Sequence, residues 1–186
     1  MKKRPHPKTT ATVRFMVKPK FLRTFVSACV AICAVQSVPA SAGAQVDGYR
    51  PLTSDCLATV AERYEIHVDV LFALLMVEGG TVGRNSRTNG NGSYDIGPFQ
   101  LNNIHLPALA ALGVSEEELR NDGCLNAAVA GWHLRRVMTP KVMAGITDEQ
   151  SYLQALALYH SATPEHNEVY ANKLRGAFAY IYQQGR

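Results

Sequence analysis

The sequence predicts a mainly helical domain placed behind a basic and then apolar leader. Three observations point there. Apolar residues recur at helical spacing from Ser54 to Tyr182, capping signals open nearly every such stretch, and no run alternates with the period of a strand. One stretch of about 20 residues, around 81–100, has no periodicity and reads as irregular, with room for a short β-ribbon.

The chain divides into a leader at 1–44, a short Gly/Pro-containing lead-in at 45–52 and the helical domain at 53–186. The leader is basic first, then apolar from Phe25 to Val38, then small through Ala40-Ser41-Ala42-Gly43-Ala44. That is the order of a secretory signal peptide, with A-x-A sites for cleavage after Ala42 or after Ala44. Its apolar run of about 14 residues falls short of the roughly 20 that cross a bilayer as a helix, so no membrane anchor is expected after cleavage. Val26-Ser27-Ala28-Cys29 has the form of a lipoprotein box, but Arg23 stands too close to Cys29 to leave an apolar region before it.

The elements follow in order. Ser54-Asp55 is a cap for a helix through about Tyr64, with Cys56, Leu57, Val60, Ala61 and Tyr64 on its apolar faces. Asp69 caps Val70 to Glu78, which is apolar all round and so a buried helix, and Gly79-Gly80 ends it. Pro107 suits the first turn of a short helix ending near Gly113. Ser115 and Glu118 make a capping box. A helix from Asp122 or Gly123 to about Met138 carries Leu125, Val129, Trp132 and Arg136 on one face. Thr147 and Gln150 form a second capping box, opening a helix through Tyr159. Thr163-Pro164 starts the last helix, through about Tyr182, with Val169, Tyr170, Leu174, Phe178 and Ile181 as its stripe.

Charge excludes one class of partner. Of the 19 basic residues, eight lie within 1–44, where there is no acidic residue; the other 11 face 15 acidic residues, a net of −4. The domain without its leader has no basic footprint for a phosphate backbone, so no nucleic acid is expected. Cysteine usage agrees with export. Cys29 and Cys33 leave with the leader, and the two that remain, Cys56 and Cys124, are expected to pair in an oxidising compartment. In the chain-entropy model a bridge closing a loop of that length contributes about 4 kcal/mol.

Glu78 is the residue that breaks the pattern. It is the only charge from Val70 to Gly80 and ends a helix otherwise made for the core. Burial disfavours its ionised form, and the negative end of the helix dipole acts the same way. A carboxyl kept protonated near neutrality is what general-acid chemistry needs. The stretch Asn89 to Asn102 follows, with amide, hydroxyl and aromatic groups on a glycine-rich backbone, a mixture suited to sugars and equally to a structural loop. The histidines His67, His105, His133, His160 and His166 show no set of ligand spacings for a metal, and no cofactor is expected.

Taken together, Glu78-Gly79-Gly80, then NGSYDIGPFQLN at 91–102, then ALYHSATPEHNEVYANKL at 157–174, resemble the soluble lytic transglycosylase (SLT) family. The resemblance runs from roughly Cys56 to Tyr180 and is strongest to small members that accompany type IV secretion and conjugation machines; type III secretion versions are similar. It implies a lysozyme-like (goose-type) helical fold. It implies that Glu78 is the single catalytic acid/base, that Gln100 and Asn102 in the G-x-x-Q-x-N pattern face the saccharide, and that Tyr159 lies beside the acid. Phe99 is then expected to offer an apolar ring to sugar, and His160 a hydrogen bond. Asp95 is the one other carboxylate near the groove, and its D-I-G-P setting suggests a turn-stabilising part.

The chain departs from the family pattern at three places. Gly79 stands where many relatives have Ser, Leu158-Tyr159-His160-Ser161-Ala162 replaces A-Y-N-x-G, and Gly97-Pro98-Phe99-Gln100 replaces Gly-Leu-Met-Gln. The implied activity is cleavage of peptidoglycan glycan strands to 1,6-anhydro products by a monomer in the periplasm, in company with secretion or conjugation proteins. A hydrolytic lysozyme and a non-catalytic peptidoglycan-binding assembly subunit are the competing readings.

Overall fold

The structure is a computed structural model that describes residues 48–184. The expected leader and both cleavage sites lie outside the described residues. Among the described residues there are eight α-helices, one 3-10 turn and one two-stranded ribbon, so the protein is mainly helical as its sequence predicts. No helix among the described residues is long and apolar enough to cross a membrane.

Helix α1 spans Ser54–Tyr64 and α2 spans Val68–Glu78. Both begin one residue before the cap expected for them. Thr53, not Ser54-Asp55, caps α1 by accepting from the Cys56 amide, and His67, not Asp69, caps α2 through its ring Nδ1. Asp69 instead sits in the first turn of α2, where its charge favours the positive end of the dipole. Gly79 ends α2 in the left-handed region at φ +61°, and its N–H satisfies the Leu75 carbonyl.

The irregular stretch resolves into a ribbon of β1 (Asp95–Ile96) and β2 (Leu101–Asn102), antiparallel, with Ile96 opposite Leu101. A 3-10 turn (Asn103–His105) leads into α3 (Leu106–Ala110), which has Pro107 in its first turn. Helix α4 (Glu116–Asn121) opens on the expected capping box of Ser115 and Glu118. Helix α5 (Gly123–Val137) is capped by Asp122. Helix α6 (Pro140–Ala144) has no counterpart in the sequence reading; Thr139 caps it and Pro140 begins it. Helix α7 (Glu149–Ala157) starts on a box made by Asp148 and Ser151 rather than by Thr147 and Gln150. It stops two residues before Tyr159, which therefore lies in a turn. Helix α8 (Pro164–Gln184) closes the domain.

The core gathers around α2, whose Leu71, Ala73 and Leu74 are fully buried. Helix α8 packs on α2 and α7 through Tyr170, Ala171, Leu174 and Ala177; Val169, expected in that stripe, is 58% exposed. Helix α5 also presents a different face from the one its large residues suggest. Asn126, Ala127, Ala130, Gly131 and Leu134 turn inward, and of the expected stripe only Val129 is buried. Small residues win that face because α1 comes very close: a Cβ on Gly131 would stand 2.7 Å from the Tyr64 ring and 3.0 Å from Val60. Cys56 and Cys124 form a disulfide across the same seam, with Cα atoms 5.5 Å apart. The lead-in docks beside it, where Arg50 bonds to Asn121 and Gly123 through its backbone and to Asp122 through its guanidinium.

Candidate active site

Glu78 is the last residue of α2, and its partly buried side chain points into a groove of about 470 Å³. Burial pushes its carboxyl up to about 7, with the negative charge of Asp95 adding to the rise. Two groups pull the other way. The Tyr170 hydroxyl donates to Glu78 Oε1 at 2.5 Å, and Lys173 lies near enough to favour the anion. Desolvation outweighs both, so the proton is held into the neutral range, far above the ordinary range of a glutamate.

The opposite side of the groove is the ribbon and its flanks, with Asn89, Asn91, Ser93, Asp95, Gln100 and Asn102 lining it. The sequence puts these groups there by chain geometry. Gly97 to Gln100 close a four-residue turn, with the Gln100 amide donating to the Gly97 carbonyl. Gln100 takes the left-handed conformation at φ +48°, rare for a residue with a side chain. Its Nε2 donates to the Gly97 carbonyl at 2.8 Å, which turns the amide back over its own loop. A Cβ at Gly80 would collide with that amide and with the Gly97 carbonyl, so the residue beside the acid must be glycine for the turn to approach.

Asn102 and Asp95 lock the ribbon. Asn102 Nδ2 donates to Asp95 Oδ1 at 2.8 Å and to Ser93 Oγ at 3.2 Å, while its Oδ1 caps the 3-10 turn by accepting from Ile104. Both residues line the groove and both are tied within it.

Tyr159 is 7% exposed, and its hydroxyl donates to the Phe99 carbonyl at 2.8 Å. Burial, with the charges of Glu78 and Asp95 nearby, keeps that phenol neutral well beyond its usual range. His133 meets the Tyr159 carbonyl through Nε2 at 3.1 Å, and its ring packs against that of His105 with centroids 4.6 Å apart. Burial holds both imidazoles below the ordinary histidine range. His160 is exposed along the groove and stacks on Tyr170.

Phe99 requires correction. Its ring is 0% exposed in the core and has no surface to offer a sugar. The turn buries the side chain and leaves the backbone carbonyl for Tyr159, so Phe99 anchors the groove wall from behind.

Two residues that the sequence reading did not single out hold the site together. Tyr170, read only as part of a packing stripe, is the direct partner of Glu78 across 92 residues of sequence. Its hydroxyl was the available signal, since a buried tyrosine needs a partner. Asn126, 0% exposed, receives the Phe99 amide at 2.9 Å and donates to the Ile96 and Leu119 carbonyls at 3.0 Å each. An asparagine among Ala, Leu and Val on a helix was its signal.

A second cavity of about 400 Å³ lies where the start of α2 meets α7 and α8, lined by Val70, Tyr152, Leu153, Phe178 and Tyr182. Its charged residues, Arg175 and Glu149, pair with each other at 3.2 Å.

The groove of this small helical domain sets one carboxyl, raised toward neutrality, across from amide and hydroxyl groups, an arrangement that suits general-acid chemistry on a polar ligand. Comparison with known proteins adds relatives but no family: no family model matches the chain. It is similar to Protein IpgF of Shigella flexneri, 35% identical over 85 residues, which is 46% of this chain and 56% of that protein. It is also similar to Invasion protein IagB of Salmonella typhimurium strain SL1344, 29% identical over 89 residues, 46% of this chain and 53% of that protein. The chain spans about half the length of the curated relatives it matches.

Proposed function

We propose that this chain is a peptidoglycan lytic transglycosylase, of the kind the SLT family represents, and that Glu78 is its single acid/base. The observation that carries this reading is the Glu78 carboxyl, raised to about 7 and aimed into a groove of amides. Such an acid can give up a proton and take one back near neutral pH.

In the proposed reaction Glu78 protonates the oxygen between N-acetylmuramic acid and N-acetylglucosamine, and the C1–O bond breaks. The substrate's N-acetyl group stabilises the positive charge that develops at C1. Glu78, now ionised, removes the proton from the muramyl C6 hydroxyl, whose oxygen closes on C1 to give a 1,6-anhydro end. Glu78 is left protonated again, and no water is consumed. Tyr170 fits both halves, since its hydroxyl donates to the carboxylate form and remains in place for the neutral one. Gln100, Asn102 and His160 supply polar contacts to the glycan from the groove walls.

One observation favours hydrolysis instead. Asp95 lines the same groove and is near enough to oppose ionisation of Glu78, as a second carboxylate would in a lysozyme. Against it, Asp95 Oδ1 is occupied by Asn102.

The wider setting belongs to the same proposal. A domain at 53–186 follows a cleaved leader and acts as a periplasmic monomer. It opens the wall locally for a secretion or conjugation apparatus. Digestion of purified sacculi by wild type and Glu78→Gln, with mass analysis of the products, tests the core of it. Release of anhydro-muropeptides by wild type alone is expected. Products heavier by one water identify a muramidase, and equal release by both proteins removes the enzymatic reading in favour of a binding subunit.

A further inference from the structure

The turn after α7 holds a contact that neither packing nor sugar binding accounts for. His160 lies flat on the ring of Tyr170, with centroids 4.8 Å apart and planes only 4° from parallel. That is offset-stacking geometry, within the range where aromatic pairs attract. The His160 ring makes no side-chain hydrogen bond to protein among the described residues, and its backbone amide donates to the Ala157 carbonyl at 3.0 Å, which fixes the turn that carries it. Tyr170 beneath is 3% exposed while His160 is itself open to the groove. The imidazole therefore forms a cover on a phenol whose hydroxyl is bound to the acid.

We propose that His160 is a positioning residue for Glu78 acting through Tyr170: its ring holds the phenol against the carboxyl and keeps water off the pair. This rests on Glu78 being the acid of the proposed reaction. The groups that face Glu78 are Asp95 from the ribbon, Tyr170 and Lys173 from α8, and Tyr159 from the turn after α7. Those that act on His160 are Lys173, His166 and Asp95. None of these residues is itself substituted in the variants below.

Removing the ring has two opposed consequences for Glu78. Water reaching the pair relieves the burial that raises its pKa, and a loosened Tyr170 withdraws a bond that lowers it. The ring covers the pair and bonds to neither member, so water entry is the consequence expected to dominate, and the net shift is downward.

The test reads that shift without substrate. Carboxyl-13C glutamate is incorporated and Glu78 is titrated by NMR in wild type, His160→Ala, His160→Ser and His160→Phe. Wild type is expected near 7, and the two ringless variants about one unit lower. His160→Phe, which keeps a flat ring but cannot hydrogen-bond a sugar, is expected to titrate with wild type. In sacculus digestion the alkaline limb of the rate should move down in pH with Ala and Ser and stay in place with Phe. An unmoved Glu78 in the ringless variants, or a Phe variant that falls as far as they do, overturns the inference. Because the titration needs no turnover, a protein that cuts no glycan counts against the proposed reaction alone.

Discussion

Two of the cavities among the described residues are nearly equal in size, about 470 and 400 Å³, and of this pair only one looks like a site for chemistry. The second is the more apolar, and its one charged pair is self-contained: Arg175 engages Glu149, Asn172 and Gln150 at the surface. The groove does the reverse. It keeps Glu78 partly buried, with no cation bonded to it among the described residues, and lines the facing wall with amides. Volume does not distinguish them. What does is an ionisable group held away from its ordinary protonation state, which the fold would not keep without return.

The sharpest way to break that contrast is Glu78→Gln. Loss of the acid should lower muropeptide release from sacculi at least about 10³-fold. The same variant should be more stable than wild type at alkaline pH. A carboxyl whose pKa rises from 4.5 to about 7 on folding contributes stability that is full below 4.5 and lost as pH climbs through 7. The amide is spared that loss, so urea midpoints near pH 8.5 should favour the variant by about 2 kcal/mol and converge near pH 4. Tyr170→Phe comes next. Without its donor the Glu78 anion is less favoured, so the alkaline limb of the rate should move to higher pH, with the rate at neutrality down about tenfold. Asn126→Ala should cost about 3 kcal/mol in denaturant unfolding, because one backbone amide and two carbonyls lose their buried partner. Smallest is Arg175→Gln beside the second cavity: muropeptide release unchanged, and stability within about 0.5 kcal/mol of wild type, as for an exposed pair. A large drop in activity there would erase the distinction between the two cavities.

Much of this was legible from residues alone, for reasons that also explain the rest. The helices declared themselves by spacing and by caps such as Ser115 with Glu118, which are local signals. Glu78 stood out because its neighbours were apolar. The caps at Thr53 and His67 lie one and two residues before the expected positions because several polar groups close together can serve, and the backbone chooses. The buried face of α5 was misread because Ala127, Ala130 and Gly131 look neutral until a second helix is seen pressing on them. Phe99 looked available because a turn residue is usually outside; here the turn folds its ring inward. Tyr170 and Asn126 act over separations of 92 and about 30 residues, so no window along the chain contains both halves of either contact.

The separation between Glu78 and Tyr170 has a consequence for when the acid takes shape. An unfolded chain has an ordinary glutamate at position 78, titrating near 4.5 and fully ionised in neutral surroundings. Only when α8 arrives from the far end of the sequence does the carboxyl acquire a phenol, lose its water and keep a proton. The raised acidity of Glu78 is thus latent in the nascent polypeptide and appears with completion of the tertiary structure.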